Sequence, residues 1–146
     1  MPETRPSAVI KTMLDTQWNA ANVPEPTLVD LNESATERMV RIEIRSGDNI
    51  VIRLSTPGFE ETPIGNWVYG HRLTRILVEI FTSVSRQRLW DLMAEVRRIC
   101  HSRMHSLTEF QRIQFKSFNE LVDDNLNIWQ GRVIIECINS SVLLEV

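Results

Sequence analysis

Residues 71–104 have the sequence HRLTRILVEIFTSVSRQRLWDLMAEVRRICHSRM, in which the spacing of the apolar residues changes at the serines. Over residues 71–82 the apolar residues alternate, which predicts a long β-strand. Over residues 86–104 they recur every three or four positions, which predicts an amphipathic helix capped by Ser83 or Ser85. The predicted apolar stripe of this helix consists of Leu89, Leu92, Met93, Val96, Cys100 and Met104.

The predicted strand is apolar on both of its faces. One face is formed by Ile76, Val78 and Ile80. The other face mixes apolar and charged side chains, namely Leu73, Arg75, Leu77, Glu79 and Phe81. Because a large apolar surface is rarely left exposed, we expect a second layer or another subunit against this face.

Upstream of the strand, the segments RMVRIEIR (residues 38–45) and NIVIRLS (residues 49–55) alternate around Ser46-Gly47-Asp48. This pattern predicts an antiparallel hairpin with one wet face. Residues 56–70, TPGFEETPIGNWVYG, contain two prolines and three glycines and are predicted to form a long loop. Its aromatic anchors are Phe59, Trp67 and Tyr69.

The two ends of the chain complete the predicted fold. Residues 7–20 are expected to form a helix with Ser7 as its N-cap, and residues 27–31 a short edge strand. Residues 110–119 and 128–138 are predicted strands, and residues 140–146 could pair as a last one. The sequence therefore predicts one α+β domain over residues 1–146. It has a mainly antiparallel sheet, with an N-terminal helix and one long central helix packed on one face.

The composition narrows the class of protein. With 42% hydrophobic and 24% charged residues, the 146-residue chain is globular, and disordered or collagen-like classes are excluded. No apolar run approaches the roughly 20 residues of a membrane span, and the start MPETRPSAVI shows no secretory signal. The two cysteines, Cys100 and Cys137, are expected to be free core thiols in a reducing compartment.

The net charge of −3 is unevenly distributed. Residues 71–105 carry 7 Lys/Arg against 3 Asp/Glu, whereas residues 1–36 carry 2 against 5 and residues 106–146 carry 3 against 6. A basic middle between acidic ends suits a subunit whose opposite surfaces meet in a ring. A chance distribution on solvated surfaces is the alternative.

The sequence shows no phosphate-binding glycine loop and no GxSxG motif. His101 and His105 are spaced for a shared metal but lack the glutamate of HExxH, so we expect two surface histidines. Cys100 lies on the apolar stripe, where a thiol is inert. The carboxylate pairs Glu60-Glu61 and Asp123-Asp124 are expected to be solvated. We therefore predict no enzyme, no cofactor and no metal, although a composite site around Cys100, His101 and His105 stays an alternative.

The run YGHRLTRILVEIFTSVSRQRLWDLMAEVRRI (Tyr69–Ile99) resembles tail-terminator and tail-completion (neck) proteins of tailed viruses. The similarity lies in a long strand that ends in a Ser-Arg stretch and precedes an amphipathic helix. The upstream helix with a tryptophan, the Val23–Pro26 exit, the hairpin and the downstream Trp129-Gln130-Gly131-Arg132 agree with it. We expect an archaeal or marine tailed virus as the source.

The resemblance implies a structural virion protein of the tail or neck, assembled in the host cytoplasm. Its subunits would form a homohexameric ring that ends tail-tube polymerisation and joins the tail to the neck. The implied partners are further copies of the chain, the tail tube protein and a neck or head-completion protein, with passive contact to DNA in the lumen and no membrane. Expected interface residues are Phe59, Trp67, Tyr69, Arg75, Glu79, Arg86 and Arg88.

A small α+β binding module for nucleic acid or a protein partner is the alternative function. In that case the arginine-rich face of the helix over residues 86–104 would carry the affinity, and binding would fall steeply with salt. No interleaved aromatic residues of the kind that stack on single strands accompany these arginines.

Overall fold

The long strand and the helix predicted at the centre of the chain are both present in the computed structural model. It describes residues 5–30, 47–64, 69–121 and 128–142. In chain order, the elements are helix α1 (Pro6–Gln17), strands β1 (Thr27–Asp30), β2 (Asp48–Ile64) and β3 (Tyr69–Thr82), helix α2 (Arg86–Ser102), and strands β4 (Arg112–Leu121) and β5 (Trp129–Val142).

Within the described ranges the sheet has five strands in the order β1-β2-β3-β5-β4. The short β1 pairs in parallel with β2, and the other neighbours are antiparallel. The predicted α+β class and the mainly antiparallel sheet are therefore confirmed. β1 lies at one edge of this sheet, as expected for residues 27–31, of which residues 27–30 are described.

Both helices pack on the same face of the sheet, as predicted. The fully buried sheet residues on this face include Ile50, Ile52, Ile76, Val78, Ile80, Val133 and Ile135. They meet Ile10 and Leu14 of α1 and the α2 stripe, of which Leu89, Leu92, Val96 and Cys100 are fully buried. The stripe continues at Ile99, which is equally buried, whereas Met104 lies beyond the end of α2.

The prediction of a loop over residues 56–70 is wrong for most of that segment. β2 continues to Ile64 and β3 begins at Tyr69, so residues 56–64 and 69–70 belong to one long hairpin. The pairing register shifts between Leu54 and Phe59. Pro57 lies inside this irregular stretch, where a residue without an N–H group can be accommodated in a strand. Pro57 and Gly58 thus lie within the register shift without ending the strand, and Pro63 pairs in register with Gly70.

The predicted hairpin of residues 38–55 can be followed only in part. Its first strand, residues 38–45, lies outside the described residues, and its second strand forms the beginning of β2. Gly47 has a positive φ of 74°, a conformation that favours glycine. Of the predicted last strand, residues 140–142 continue β5 and residues 143–146 lie outside the described part.

Helix α1 begins one residue earlier than predicted, and Ser7 is not its N-cap. The capping position is Arg5, whose side chain makes no capping hydrogen bond, and Pro6 starts the helix. The buried Ser7 hydroxyl instead donates to Asp30 Oδ2 over 3.2 Å and thereby ties α1 to β1. In α2 the expected cap is confirmed at Ser85, whose hydroxyl accepts from the Arg88 backbone N–H at 3.1 Å.

A buried carboxylate joins α2 to the segment that follows α1. Glu95 is only 3% exposed and accepts from the Asn19 backbone N–H at 3.2 Å and from Asn22 Nδ2 at 3.1 Å. Arg98 Nε also donates to Glu95 at 3.0 Å. Burial acts to raise the pKa of Glu95, but the hydrogen bonds from Arg98, Asn22 and Asn19 outweigh it and lower the pKa.

Candidate interaction surface

The face of the sheet that turns away from the helices carries ion pairs between strands. Glu79 of β3 lies at its centre and is fully buried. Its Oε1 is 3.2 Å from Arg53 Nε of β2, and its Oε2 is 3.8 Å from Arg132 Nε of β5. Gln130 Nε2 donates to Glu79 Oε2 at 3.2 Å. One carboxylate therefore ties three neighbouring strands together.

Glu79, which was expected at a subunit interface, is covered by side chains of its own chain. Glu79 is on the predicted outer face, but the pairing of the strands places Arg132 directly opposite it and Arg53 diagonally across from it. Their long side chains cover the carboxylate, since charged residues use their stems to shield what lies beneath them. Glu79 thus serves the fold, and a partner would meet the arginines first.

Arg75, the other charged residue expected at an interface on β3, remains partly accessible. Its side chain is 39% exposed, with Nη1 3.5 Å from Glu60 Oε1 and Nε 3.6 Å from Glu136 Oε2. Lys116 Nζ approaches the other oxygen of Glu136 at 3.6 Å. This second ion-pair ladder crosses β2, β3, β5 and β4 and can still contact a partner.

The long hairpin exposes two large apolar side chains, Leu54 and Phe59, which we call the hairpin patch. Leu54 is 39% exposed and Phe59 is 48% exposed. The Arg72 guanidinium carbon lies 3.8 Å from the centroid of the Phe59 ring, and its Nε is 3.7 Å from Glu61. Phe59 is therefore held in place by a cation–π contact while its other side stays free.

The α2 arginines are mostly held by partners in the same chain. Arg86 makes two hydrogen bonds to Glu120, at 2.7 and 2.9 Å, which lower the pKa of that carboxyl. Arg88 Nη1 lies 3.9 Å from Asp48. Arg98 pairs with Glu95 of the same helix and donates to the Gln17 carbonyl oxygen at the end of α1 at 3.0 Å. Arg103, the residue after α2, donates to Gln17 Oε1.

A second apolar patch lies where β3 ends and α2 begins, and sequence reasoning did not identify it. It consists of Val84, 54% exposed, Trp90, 41% exposed, and Trp129, 36% exposed, which we call the corner patch. The signal available in the sequence was Trp90 at the edge of the helical stripe and Trp129 at the first position of a strand. Neither position shows by itself that the side chains lie at the same corner.

A shallow groove of about 670 Å³ crosses the far end of the sheet. Strands β2 and β3 line it with Glu60, Thr62, His71 and Leu73, while Ile138, Arg112, Gln111 and His105 line the other side. Its floor is apolar and its rim carries both signs of charge. The groove can therefore take an extended, amphipathic segment of a partner.

The residues considered for catalysis or metal binding do not form a common site in the described part of the chain. Burial raises the pKa of the Cys100 thiol to about 12, so its reactive thiolate is suppressed. His101 is exposed on α2, and His105 Nδ1 lies 3.4 Å from the Gln111 carbonyl oxygen. No group of three or more His, Cys, Asp or Glu residues within the described ranges could hold a metal ion.

The carboxylate pairs also behave differently from a catalytic dyad. Glu60 and Glu61 are successive residues of β2, so they point to opposite faces and pair with Arg75 and Arg72, respectively. Asp123 and Asp124 lie outside the described residues.

The other residues predicted at an interface differ in how accessible they are. Phe59, Arg75 and Arg86 are exposed enough to meet a partner, whereas Arg88 is only 25% exposed. Tyr69 is the first residue of β3, and Trp67 lies outside the described residues. Among the helices described, none is long and apolar enough to cross a bilayer.

Comparison of the chain with protein-family models and with curated proteins finds no match to either.

Proposed function

We propose that this chain is a structural virion protein that forms a homohexameric ring at the head-proximal end of the tail tube. In this role it ends tail polymerisation and joins the tail to the neck, with no catalytic step. Its partners are further copies of itself, the tail tube protein and a neck or head-completion protein.

The observation that carries the proposal is the distribution of exposed apolar surface. Helices α1 and α2 cover the core residues of the sheet, yet the hairpin patch and the corner patch expose large side chains at separate places. Exposed apolar side chains that lie on rigid strands and at a capped helix start favour recognition of protein partners. Two separate patches on one subunit are what an assembly with repeated contacts requires.

The test is the native mass of the purified chain by light scattering over a concentration series, with negative-stain images of any oligomer. A closed ring of six 17.0 kDa subunits is expected. As a second arm, the chain is mixed with purified tail tubes, and bound protein is expected at one end of each tube only. Binding along the whole tube, or none at the ends, would contradict the proposal.

A small binding module is the second candidate, and the groove at the far end of the sheet favours it. Nucleic acid is the less favoured ligand, because Arg86, Arg88 and Arg98 of α2 have acidic partners in the chain. A steep loss of DNA affinity with rising salt would support this candidate. Arg97→Gln, at an exposed position of the same helix, would then reduce both affinity and the salt slope.

A further inference from the structure

The groove at the far end of the sheet is built on one row of side chains that crosses four strands. Leu73 of β3 pairs with Glu60 of β2 on one side and with Ile138 of β5 on the other. Ile138 pairs in turn with Arg112 of β4. At the usual spacing between strands, the backbones of Glu60 and Arg112 are about 14 Å apart. The row therefore has a charged residue at each end and two apolar residues between them, and all four line the groove.

The two charged ends of this row differ in how far the chain neutralises them. Glu60 Oε1 lies 3.5 Å from Arg75 Nη1, so its charge is offset by a neighbouring strand. Arg112 is exposed and makes no ion pair with any residue in the described ranges. The groove thus presents, at its β4 end, a cation that lacks a countercharge.

The apolar centre of the groove keeps part of its surface in water. Leu73 and Ile138 are direct neighbours on adjacent strands, and both are only half-buried. An apolar side chain laid over this pair removes the remaining surface from water, which is favourable. Thr62 and His71, which also pair directly, line the groove one row further along and supply hydrogen-bonding groups beside the apolar pair.

We propose that this groove binds an extended segment of a partner protein that carries an acidic residue and a large apolar residue two positions apart. The midpoint between Leu73 and Ile138 lies about 7 Å from Arg112 along the row. Side chains two positions apart on an extended chain point to the same side and are also separated by about 7 Å. The acidic side chain therefore meets Arg112 while the apolar one covers Leu73 and Ile138.

A small molecule is the less favoured occupant, because the groove is shallow. Small-molecule sites enclose roughly 70–90% of their ligand, whereas an extended segment needs cover on one side only, since its side chains alternate. The inference names the ligand of the second candidate function, and it does not depend on whether the chain forms a ring.

The test uses the full chain and the capped peptide GSESLSG, in which one glutamate and one leucine are two positions apart. Ligand-observed NMR is expected to show saturation transfer from the protein to the glutamate and leucine protons. The expected Kd is in the millimolar range, because the contact is small. Two control peptides replace the glutamate by glutamine or the leucine by serine, and each is expected to bind about fivefold more weakly.

On the protein, Arg112→Glu reverses the charge at the β4 end of the groove and is expected to weaken binding of GSESLSG about tenfold, because attraction becomes repulsion. Arg97→Glu makes the same change of charge at an exposed position of α2 and is the matched control, with the wild-type affinity. Both positions are exposed, so the fold is expected to survive, which circular dichroism verifies.

Three outcomes overturn the inference. The first is a wild-type chain that shows no saturation transfer with about 10 mM peptide. The second is equal binding by Arg112→Glu and the wild type, which would place the peptide outside the groove. The third comes from octanoate, a carboxylate on an apolar chain, titrated in parallel: if it binds more tightly than the peptide, the ligand is a small amphiphile. The ring is decided separately by light scattering.

Discussion

On the helix side of β5, Val133, Ile135 and Cys137 are fully buried, whereas Ile134 on the opposite side of the same strand is only half-buried. The helix side contains the main core, in which α1 and α2 cover the sheet. The opposite side holds together through Glu79 and its arginines. The difference indicates that stability depends mainly on one face, which leaves parts of the other free for contacts.

The largest expected loss of stability tests this difference between the two faces, by truncating one isoleucine on each. Ile135→Ala should lower the free energy of unfolding by about 3–4 kcal/mol, because it opens a cavity in a closed core. The neighbouring Ile134→Ala should cost about 1 kcal/mol, since its side chain is partly exposed and leaves no closed cavity. Urea unfolding of both variants measures the contrast. Equal losses would mean that the two faces are equally covered in the monomer.

A smaller loss of stability is expected when Glu79, the buried carboxylate on the face away from the helices, is substituted. Glu79→Gln keeps the shape but removes the countercharge of Arg53 and Arg132, and should cost about 2 kcal/mol. Glu136→Gln is the matched control, because Glu136 keeps 12% of its side chain exposed whereas Glu79 keeps none, and it should cost less than about 1 kcal/mol. Chemical denaturation at constant ionic strength separates the two. If Glu79→Gln left the free energy of unfolding unchanged or raised it, the cost of desolvating these buried charges would equal or exceed their mutual attraction.

Three features were predictable because each follows from local periodicity. They are the strand over residues 71–82, the helix after Ser85, and the burial of Leu89, Leu92 and Val96. The extension of β2 through Pro57 was not predictable, since the pairing partner that permits it is supplied by β3. The burial of Glu79 was equally hidden, because Arg53 and Arg132 lie on other strands and meet it only through the register. The corner patch escaped prediction for the same reason.

The contact between α2 and the end of α1 allows a test by pH. The pKa of Glu95 is lowered in the folded state, so its contribution to stability is present above the unfolded pKa of about 4.3 and is lost as pH falls through the folded pKa. Glu95→Gln should cost about 1–2 kcal/mol at pH 7 and much less at pH 3. Unfolding at a series of pH values measures this change.

The control for the pH series is Asp91→Asn, which alters an exposed carboxylate one turn earlier on α2. It should keep the wild-type loss of stability in acid. If Glu95→Gln cost the same at pH 3 as at pH 7, its role would be one of packing and not of charge.

The smallest expected effect on stability is at Arg86, and it separates folding from assembly. The Arg86 side chain is 70% exposed, so its pair with Glu120 is screened by solvent, and Arg86→Gln should leave the melting temperature of the monomer unchanged. If Arg86 lies at a subunit interface, as expected from the sequence, the same substitution should shift the concentration at which oligomers form. Thermal melting and light scattering on the same samples measure the two effects. A lowered melting temperature with unchanged assembly would mean that Arg86 stabilises the fold of the monomer, as Glu79 does, and takes no part in assembly.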